Sequence, residues 1–217
     1  MYMKILIALL VLSVGFSSCA QQSAATKLKI PTAVSTTPAK NEAVATFAEG
    51  CFWHSEIVFQ SLLGVRDAVS VYAGGTVSNP DYETVSTGAT GHAESVQVYY
   101  DPSIISYQTL VQAFFASQDP TQVDGQGNDI GTQYRSIAFY RNEKEKQIIE
   151  AEMDRLVKSG KYKDKIVTQV VPFTKFYPAE AYHQEYVERH PTQSYVQYVS
   201  IPDFIHFRNT FKGPFKN

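Results

Sequence analysis

The sequence predicts an α+β fold, a two-layer sandwich of helices on a mixed β-sheet, and three observations point to it. Short apolar runs of strand character and longer runs of helical periodicity follow one another in the order strand, helix, strand, strand, helix, strand, helix, strand, helix. That order lacks the strict alternation of a doubly wound parallel sheet. The dinucleotide signature of such sheets also fails in "DGQGNDIGTQYRS": Ile130 stands where the third glycine of G-x-G-x-x-G is required, and Gly131 comes one residue late.

The chain has 217 residues, of which 44% are hydrophobic, enough to build the core of one ordinary domain. Its 19 basic and 21 acidic residues nearly cancel, and no Lys/Arg-rich run occurs, so nucleic acid is excluded as a partner class. Residues 1–19 read as a signal peptide: Lys4, an apolar run from Ile5 to Phe16, then small residues up to Cys19. The run is too short to span a bilayer, which takes ~20 apolar residues. "FSSC" is similar to a bacterial lipoprotein signal, with cleavage before Cys19 and lipidation of that cysteine as the expected outcome; an ordinary cleaved signal is the alternative. Residues 20–42, rich in Ser, Thr, Ala and Pro, read as a flexible spacer, and 43–217 as the folded domain.

In the domain, "EAVATFAEG" is a short apolar strand ending at Gly50. "CFWHSEIVFQSLLG" then carries Phe52, Ile57, Phe59, Leu62 and Leu63 at helical spacing up to Gly64. Cys51 therefore sits at a strand-to-helix turn, where free backbone N–H groups and the helix dipole favour an anion, and its thiol is expected to be shifted toward the thiolate. With Cys19 lipidated or removed, Cys51 is the only thiol left and has no partner for an internal disulfide. Phe52 and Trp53 point about 100° apart on a helix, so at least one is expected to line a pocket beside the sulfur.

"TGHAESVQVYYDP" alternates as a strand, with His92, Glu94, Val96, Val98 and Tyr100 on one face and Ala93, Ser95, Gln97 and Tyr99 on the other. Glu94 shares its face with two valines, company that raises a carboxyl pKa and suits a general acid; a solvated or ion-paired glutamate is the competing reading. "DGQGNDIGTQYRS" reads as a mobile Gly-rich loop carrying Asn128 and Asp129 ahead of the strand "YRSIAFY". Tyr82 and Tyr134 are candidate phenol donors into a pocket. No H-x-x-x-H or Cys/His cluster is present, so no metal is expected, and His54 and His183 read as surface or capped-helix residues. "RNEKEKQIIEAEMDRLVKSG" is a helix with Asn142 as N-cap, an apolar stripe of Ile149, Met153 and Leu156, and Gly160 as its stop. "KIVTQVV" is a strand, and "YPAEAYHQEYVERHP" a helix bounded by prolines.

Four of these segments, "GCFWHSEIVFQSLLGV", "AGGTVSNPDYETVSTGATGHAESVQVYYDP", "QGNDIGTQYRSIAFY" and "AEAYHQEY", make the chain resemble the peptide methionine sulfoxide reductase A family, in the family's order and over about residues 44–190. The resemblance implies a ferredoxin-like core and reduction of the S epimer of methionine sulfoxide, protein-bound or free. It implies Cys51 as nucleophile, Glu94 as acid to the sulfoxide oxygen, Tyr82 and Tyr134 as donors to that oxygen, Phe52 and Trp53 around the methyl group, and Asp129 ordering the pocket. No bound cofactor is expected, and the product on Cys51 is a sulfenic acid.

Two departures stand out. His54 occupies a place where many members have glycine, and Val196 falls where many have a second cysteine. The sulfenic acid then needs an external thiol, thioredoxin-like, glutaredoxin-like or small. The expected enzyme is an exported, periplasmic or cell-envelope lipoprotein, membrane-anchored through Cys19 and monomeric. Two rivals stay open at this point: a Cys/His hydrolase using His183 or His92 as base, and a non-catalytic tethered binding lipoprotein.

Overall fold

The structure, a computed structural model, describes residues 35–217. The signal segment, Cys19 and most of the spacer lie outside the described residues. In chain order the elements are β1 (Ala43–Ala48), α1 (Phe52–Gln60), β2 (Val65–Ala73), α2 (Tyr82–Ser86), β3 (Ala93–Tyr100), α3 (Tyr107–Ala116), β4 (Gly125–Gln126), β5 (Asp129–Ile130), β6 (Ile137–Tyr140), α4 (Glu143–Ser159), β7 (Gln169–Pro172), β8 (Phe176–Pro178), α5 (Tyr186–Arg189) and α6 (Ile201–Thr210), the last preceded by a π-helical turn at Val196–Ser200.

The main sheet has the order β7-β6-β1-β3-β2-β8. Its central four strands, β6-β1-β3-β2, are antiparallel neighbours, and α1 and α3 connect β1 to β2 and β3 to β6. That is the ferredoxin-like arrangement. The parallel pairing of β6 with β7 makes the sheet mixed. The face read for β3 holds: Val96, Val98 and Tyr100 enter the large core, while Ala93 and Tyr99 join smaller clusters on the reverse face.

The core between sheet and helices is aromatic. Phe47 of β1 stacks on Phe59 of α1 at 5.2 Å and on Phe114 of α3 at 5.1 Å. Each such side chain contributes roughly 1.5–3 kcal/mol through burial, so one ring couples the strand to both helices. On the reverse face Arg141 Nη2 donates to Thr46 Oγ1 at 2.7 Å and to Gln97 Oε1 at 3.1 Å, and its guanidinium lies 4.1 Å over the Phe173 ring.

Most predicted elements form. Asn142 caps α4 by accepting the Glu145 N–H at 2.9 Å, and Gly160 closes it in the left-handed conformation. Five expectations change. The proline-bounded helix shrinks to α5, because residues 179–185 are tied to other elements instead: Gln184 accepts the Ser70 N–H and donates to the Ser70 and Ala179 carbonyls, and the Glu185 N–H donates to Glu56. "KIVTQVV" pairs only from Gln169, and "YRSIAFY" only from Ile137, with Tyr134 left in a 3₁₀ turn. Leu63 lies past the end of α1 and is 48% exposed, while Leu62 takes the core position. The Gly-rich loop contains the short β4–β5 hairpin, with Gln126 paired to Asp129.

Candidate active site

Gly50 makes the turn on which the site depends. Its φ of +98° suits glycine, and a Cβ there would lie 2.7 Å from the Gln126 side chain of the β4–β5 hairpin. The chain turns there from β1 into α1, leaving Cys51 as the N-cap residue with extended backbone. The first helical amide, Phe52 N–H, donates to Glu94 Oε2 at 3.1 Å across from β3. Register thus brings the cysteine and the glutamate, 43 positions apart in sequence, to one helix end.

Glu94 is buried and its pKa is pushed up to about 8, burial outweighing the Phe52 hydrogen bond and the Asp129 charge adding to the rise. The carboxyl therefore carries its proton at neutral pH, as its apolar strand face suggested. Cys51 behaves differently from the expectation. It keeps some solvent contact, yet the surrounding protein desolvates the sulfur, and Glu94 and Asp129 add repulsion, so the thiol is held well above its usual range. The Trp53 amide and the Tyr195 hydroxyl favour the thiolate without overcoming burial. The helix end is present, but its first amide serves Glu94, and the resting site holds a thiol beside a neutral acid.

Aromatic side chains wall the site. Trp53 stacks flat on Tyr186 at 3.6 Å, meets Tyr195 edge-on at 5.8 Å, and donates its indole N–H to His183 Nδ1 at 3.1 Å. His183 is 1% exposed, lies 4.8 Å from Phe52 and 4.5 Å from Tyr82, and burial lowers its pKa to about 4. It is a neutral packing element of the wall, a correction to its reading as a surface or capping residue. His54 is likewise buried, with Nε2 3.3 Å from the Ser117 carbonyl, because α1 is covered on nearly every side.

Tyr82 opens α2, and its backbone N–H donates to Glu180, whose other oxygen accepts the Tyr72 hydroxyl. Burial first, and then the charges of Glu94 and Cys51, push its phenol up to about 12; Tyr134 is raised by burial with the same two groups. Both phenols therefore stay protonated donors within reach of the site's charges. Asp129, on β5, accepts a hydrogen bond from the Tyr195 hydroxyl, and burial raises its pKa. All seven residues singled out in the domain, Cys51, Phe52, Trp53, Tyr82, Glu94, Asp129 and Tyr134, thus gather at one place. Tyr195 went unread; its one signal was its position immediately before Val196.

The histidines needed by a hydrolase are committed elsewhere. His92 Nδ1 accepts the Gly75 N–H at 3.1 Å while Nε2 lies 2.8 Å from the Val77 carbonyl, and His183 is held by Trp53. Among the described residues, no group of three or more His, Cys, Asp or Glu converges as a metal site.

Comparison with known proteins resolves the class. The family model for peptide methionine sulfoxide reductase matches residues 43–213, nearly the whole described domain. The chain belongs to the peptide methionine sulfoxide reductase family. A relative named peptide methionine sulfoxide reductase MsrA from Thermus thermophilus is 47% identical over 172 residues, covering 79% of this chain and 97% of its own. One of the same name from Pasteurella multocida is 44% identical, covering 79% and 98%. Among solved structures, yeast Mxr1 in reduced form matches with a TM-score of 0.66 at 33% identity, covering 72% of this chain and 91% of its own. Methionine sulfoxide reductase A of Corynebacterium diphtheriae matches with a TM-score of 0.65 at 32% identity, covering 71% and 78%. The reductase is an oxidoreductase whose reaction is the reduction of methionine sulfoxide. Where many members carry a second cysteine, it buries Val196 against Ile57 and Val187, and Cys51 is the one free cysteine among the described residues.

Proposed function

We propose that the reductase acts on the S epimer of methionine sulfoxide, protein-bound or free, with Cys51 as nucleophile and Glu94 as proton donor. The single observation that carries this assignment is the buried, protonated Glu94 carboxyl anchored to the Phe52 amide one residue from the sulfur. A sulfoxide is a poor electrophile until its oxygen gains a proton, and a neutral acid at that spot supplies one. As Cys51 sulfur bonds to the sulfoxide sulfur, Glu94 gives its proton to the oxygen and takes up the proton leaving the thiol. The S–S bond then breaks as the oxygen passes to Cys51. Methionine departs, reduced by two electrons, and Cys51 is oxidised to its sulfenic acid.

Tyr82 and Tyr134 donate hydrogen bonds to the oxygen, and Phe52 and Trp53 enclose the methyl group. Asp129, held by Tyr195, orders the polar edge of the pocket. Without a second cysteine in the domain, an external thiol reduces the sulfenic acid. Every residue in this scheme comes from one chain, which favours a functional monomer. Residues 1–19 act as a lipoprotein signal, Cys19 carries the lipid, and residues 20–42 tether the domain of residues 43–217 to a membrane of the bacterial cell envelope. What supports the tether is the apolar run followed by "FSSC".

The test is a single-turnover assay with separated sulfoxide epimers and no added reductant. One methionine per Cys51 is expected from the S epimer and none from the R epimer. Cys51→Ser is expected to form none while keeping the fold; turnover by that variant, or equal use of both epimers, contradicts the assignment.

A further inference from the structure

Cys51 faces the Glu94 carboxyl across the helix end, and it also lines a cavity. That cavity has a volume of about 440 Å³, and its walls include Glu49, His54, Gln118, Lys161 and Asp203. None of Phe52, Trp53, Tyr82, Glu94 or Tyr134 lines this cavity. Tyr195 and Asp129 belong to its wall, so their hydrogen bond stands at the boundary beside the sulfur.

The cavity wall mixes polar and apolar groups, and its polar groups are incompletely paired. Glu49 is 1% exposed and accepts the Ser117 hydroxyl through Oε2 at 2.8 Å, while Oε1 has no partner among the described residues. The nearby Ser55 hydroxyl donates to the Cys51 carbonyl at 3.4 Å, and it also lies close enough to Glu49 to favour the carboxylate weakly. Burial raises the Glu49 pKa to about 8, so at neutral pH this carboxyl has a proton to offer a ligand. Both ends of the Gln118 amide are buried without partners as well. Buried polar atoms of this kind are ordinarily satisfied, and three of them around one cavity mark a place shaped for a polar guest.

We propose that this cavity docks the external reductant, a low-molecular-weight thiol bearing both a carboxylate and an ammonium group. The proposal rests on the Cys51 sulfenic acid of the preceding reading and gives it a partner and a route. Displacement at a divalent sulfur is in line: the entering thiol must approach opposite the bond that breaks. Glu94, which hands its proton to the departing oxygen, does not line the cavity, whereas Cys51 does, so the cavity offers the thiol a route to the sulfur that the acid does not occupy. Lys161 suits the guest's carboxylate, Asp203 its ammonium, and the Glu49 O–H and Gln118 amide its peptide or carboxyl groups. Ala116, Lys161 and His206 also line a surface groove of about 800 Å³, which gives the thiol its way in. A cavity of a few hundred Å³ takes a small molecule rather than a folded domain.

The chemistry balances in two steps. A first thiol forms an S–S bond to Cys51 as the S–O bond breaks; the hydroxide leaves as water with the Glu94 proton, and the proton lost by the thiol restores Glu94 through solvent. A second thiol attacks the mixed disulfide, releasing the small disulfide and returning Cys51 as a thiol. Two thiols are oxidised, and one sulfenic acid is reduced.

The test uses the domain with Cys51 oxidised by hydrogen peroxide to the sulfenic acid, so that it does not depend on sulfoxide turnover. Loss of sulfenic acid is then followed by rapid mixing with glutathione, which carries both charges, or with uncharged β-mercaptoethanol. The rate with glutathione is expected to saturate. Lys161→Ala, at an exposed position, is expected to raise the glutathione half-saturation several-fold and leave β-mercaptoethanol unchanged. Gln118→Phe, which fills the cavity, is expected to slow both thiols by about tenfold or more, while methionine formed in a separate first turnover stays at the wild-type amount. Rates that never saturate and are equal for both thiols in all three proteins overturn the proposal. So does a thioredoxin that reduces the oxidised enzyme faster than glutathione at equal concentration and is indifferent to Gln118→Phe. Loss of the first turnover in the wild type, with the thiol results as expected, would fault the sulfoxide reading alone.

Discussion

Glu94 Oε2 accepts the backbone N–H of Phe52 at 3.1 Å, so the first amide of α1 steadies the acid rather than the neighbouring thiol. The hydrogen bond fixes the carboxyl at the helix end without ionising it, because burial holds its pKa near 8. The division of labour follows: backbone positions the acid, and the acid and thiol exchange one proton as substrate arrives.

Glu94→Gln keeps the shape and the Phe52 contact through the amide oxygen but has no acidic proton. Methionine formation in a single turnover is expected to slow by roughly 10²-fold or more. A wild-type rate in rapid-quench measurements would remove Glu94 from the donor role.

Trp53→Phe retains an aromatic wall but removes the indole N–H that His183 Nδ1 accepts at 3.1 Å. A nitrogen on a side chain only 1% exposed is left unpaired, at a cost of about 1–3 kcal/mol, which urea denaturation would register. The sulfoxide KM is expected to rise as the methyl-binding wall loosens.

Glu49, Glu56 and Glu94 each have a folded pKa near 8, against an ordinary value of 4.5. The folded state binds more protons than the unfolded chain between those values. Their stabilising contribution is therefore complete below about pH 4.5 and is lost as pH rises through about 8. His183 runs the other way, with its folded pKa at about 4 and an ordinary value of 6.5, so its contribution is lost as pH falls below that value. From about pH 6.5 to 8 the buried acids dominate, and the urea midpoint is expected to fall. Each pH unit separating a folded from an unfolded pKa corresponds to about 1.4 kcal/mol. Glu49→Gln is expected to flatten the slope; an unchanged slope would show that Glu49 is ionised in the fold.

Cys19→Ala is expected to move the protein from membrane to soluble fractions on cell fractionation. An unchanged distribution would count against the lipid tether.

The sequence displayed the site's chemistry more clearly than its connections. Glu94 was readable because strand alternation puts it beside Val96 and Val98, and β3 forms with that alternation intact. Asn142 and Gly160 bounded α4 correctly because caps are local. The "YPAEAYHQEYVERHP" helix failed because the Ala179 and Glu185 N–H groups and the Gln184 side chain are claimed by Ser70 and Glu56, distant residues that no local pattern reports. The thiol misled for a similar reason. Helix position is local and visible in the sequence, whereas the burial that outweighs it, and the charges of Glu94 and Asp129 that add to it, depend on residues far away in the chain.

The most direct measurement is the pH dependence of the single-turnover rate of methionine formation, wild type beside Glu94→Gln. The account expects a plateau from about pH 6 to 7 and a fall as pH rises through about 8, where Glu94 gives up its proton, with that fall missing from the variant. A wild-type rate that instead climbs steadily through about pH 8, following ionisation of Cys51, would contradict it.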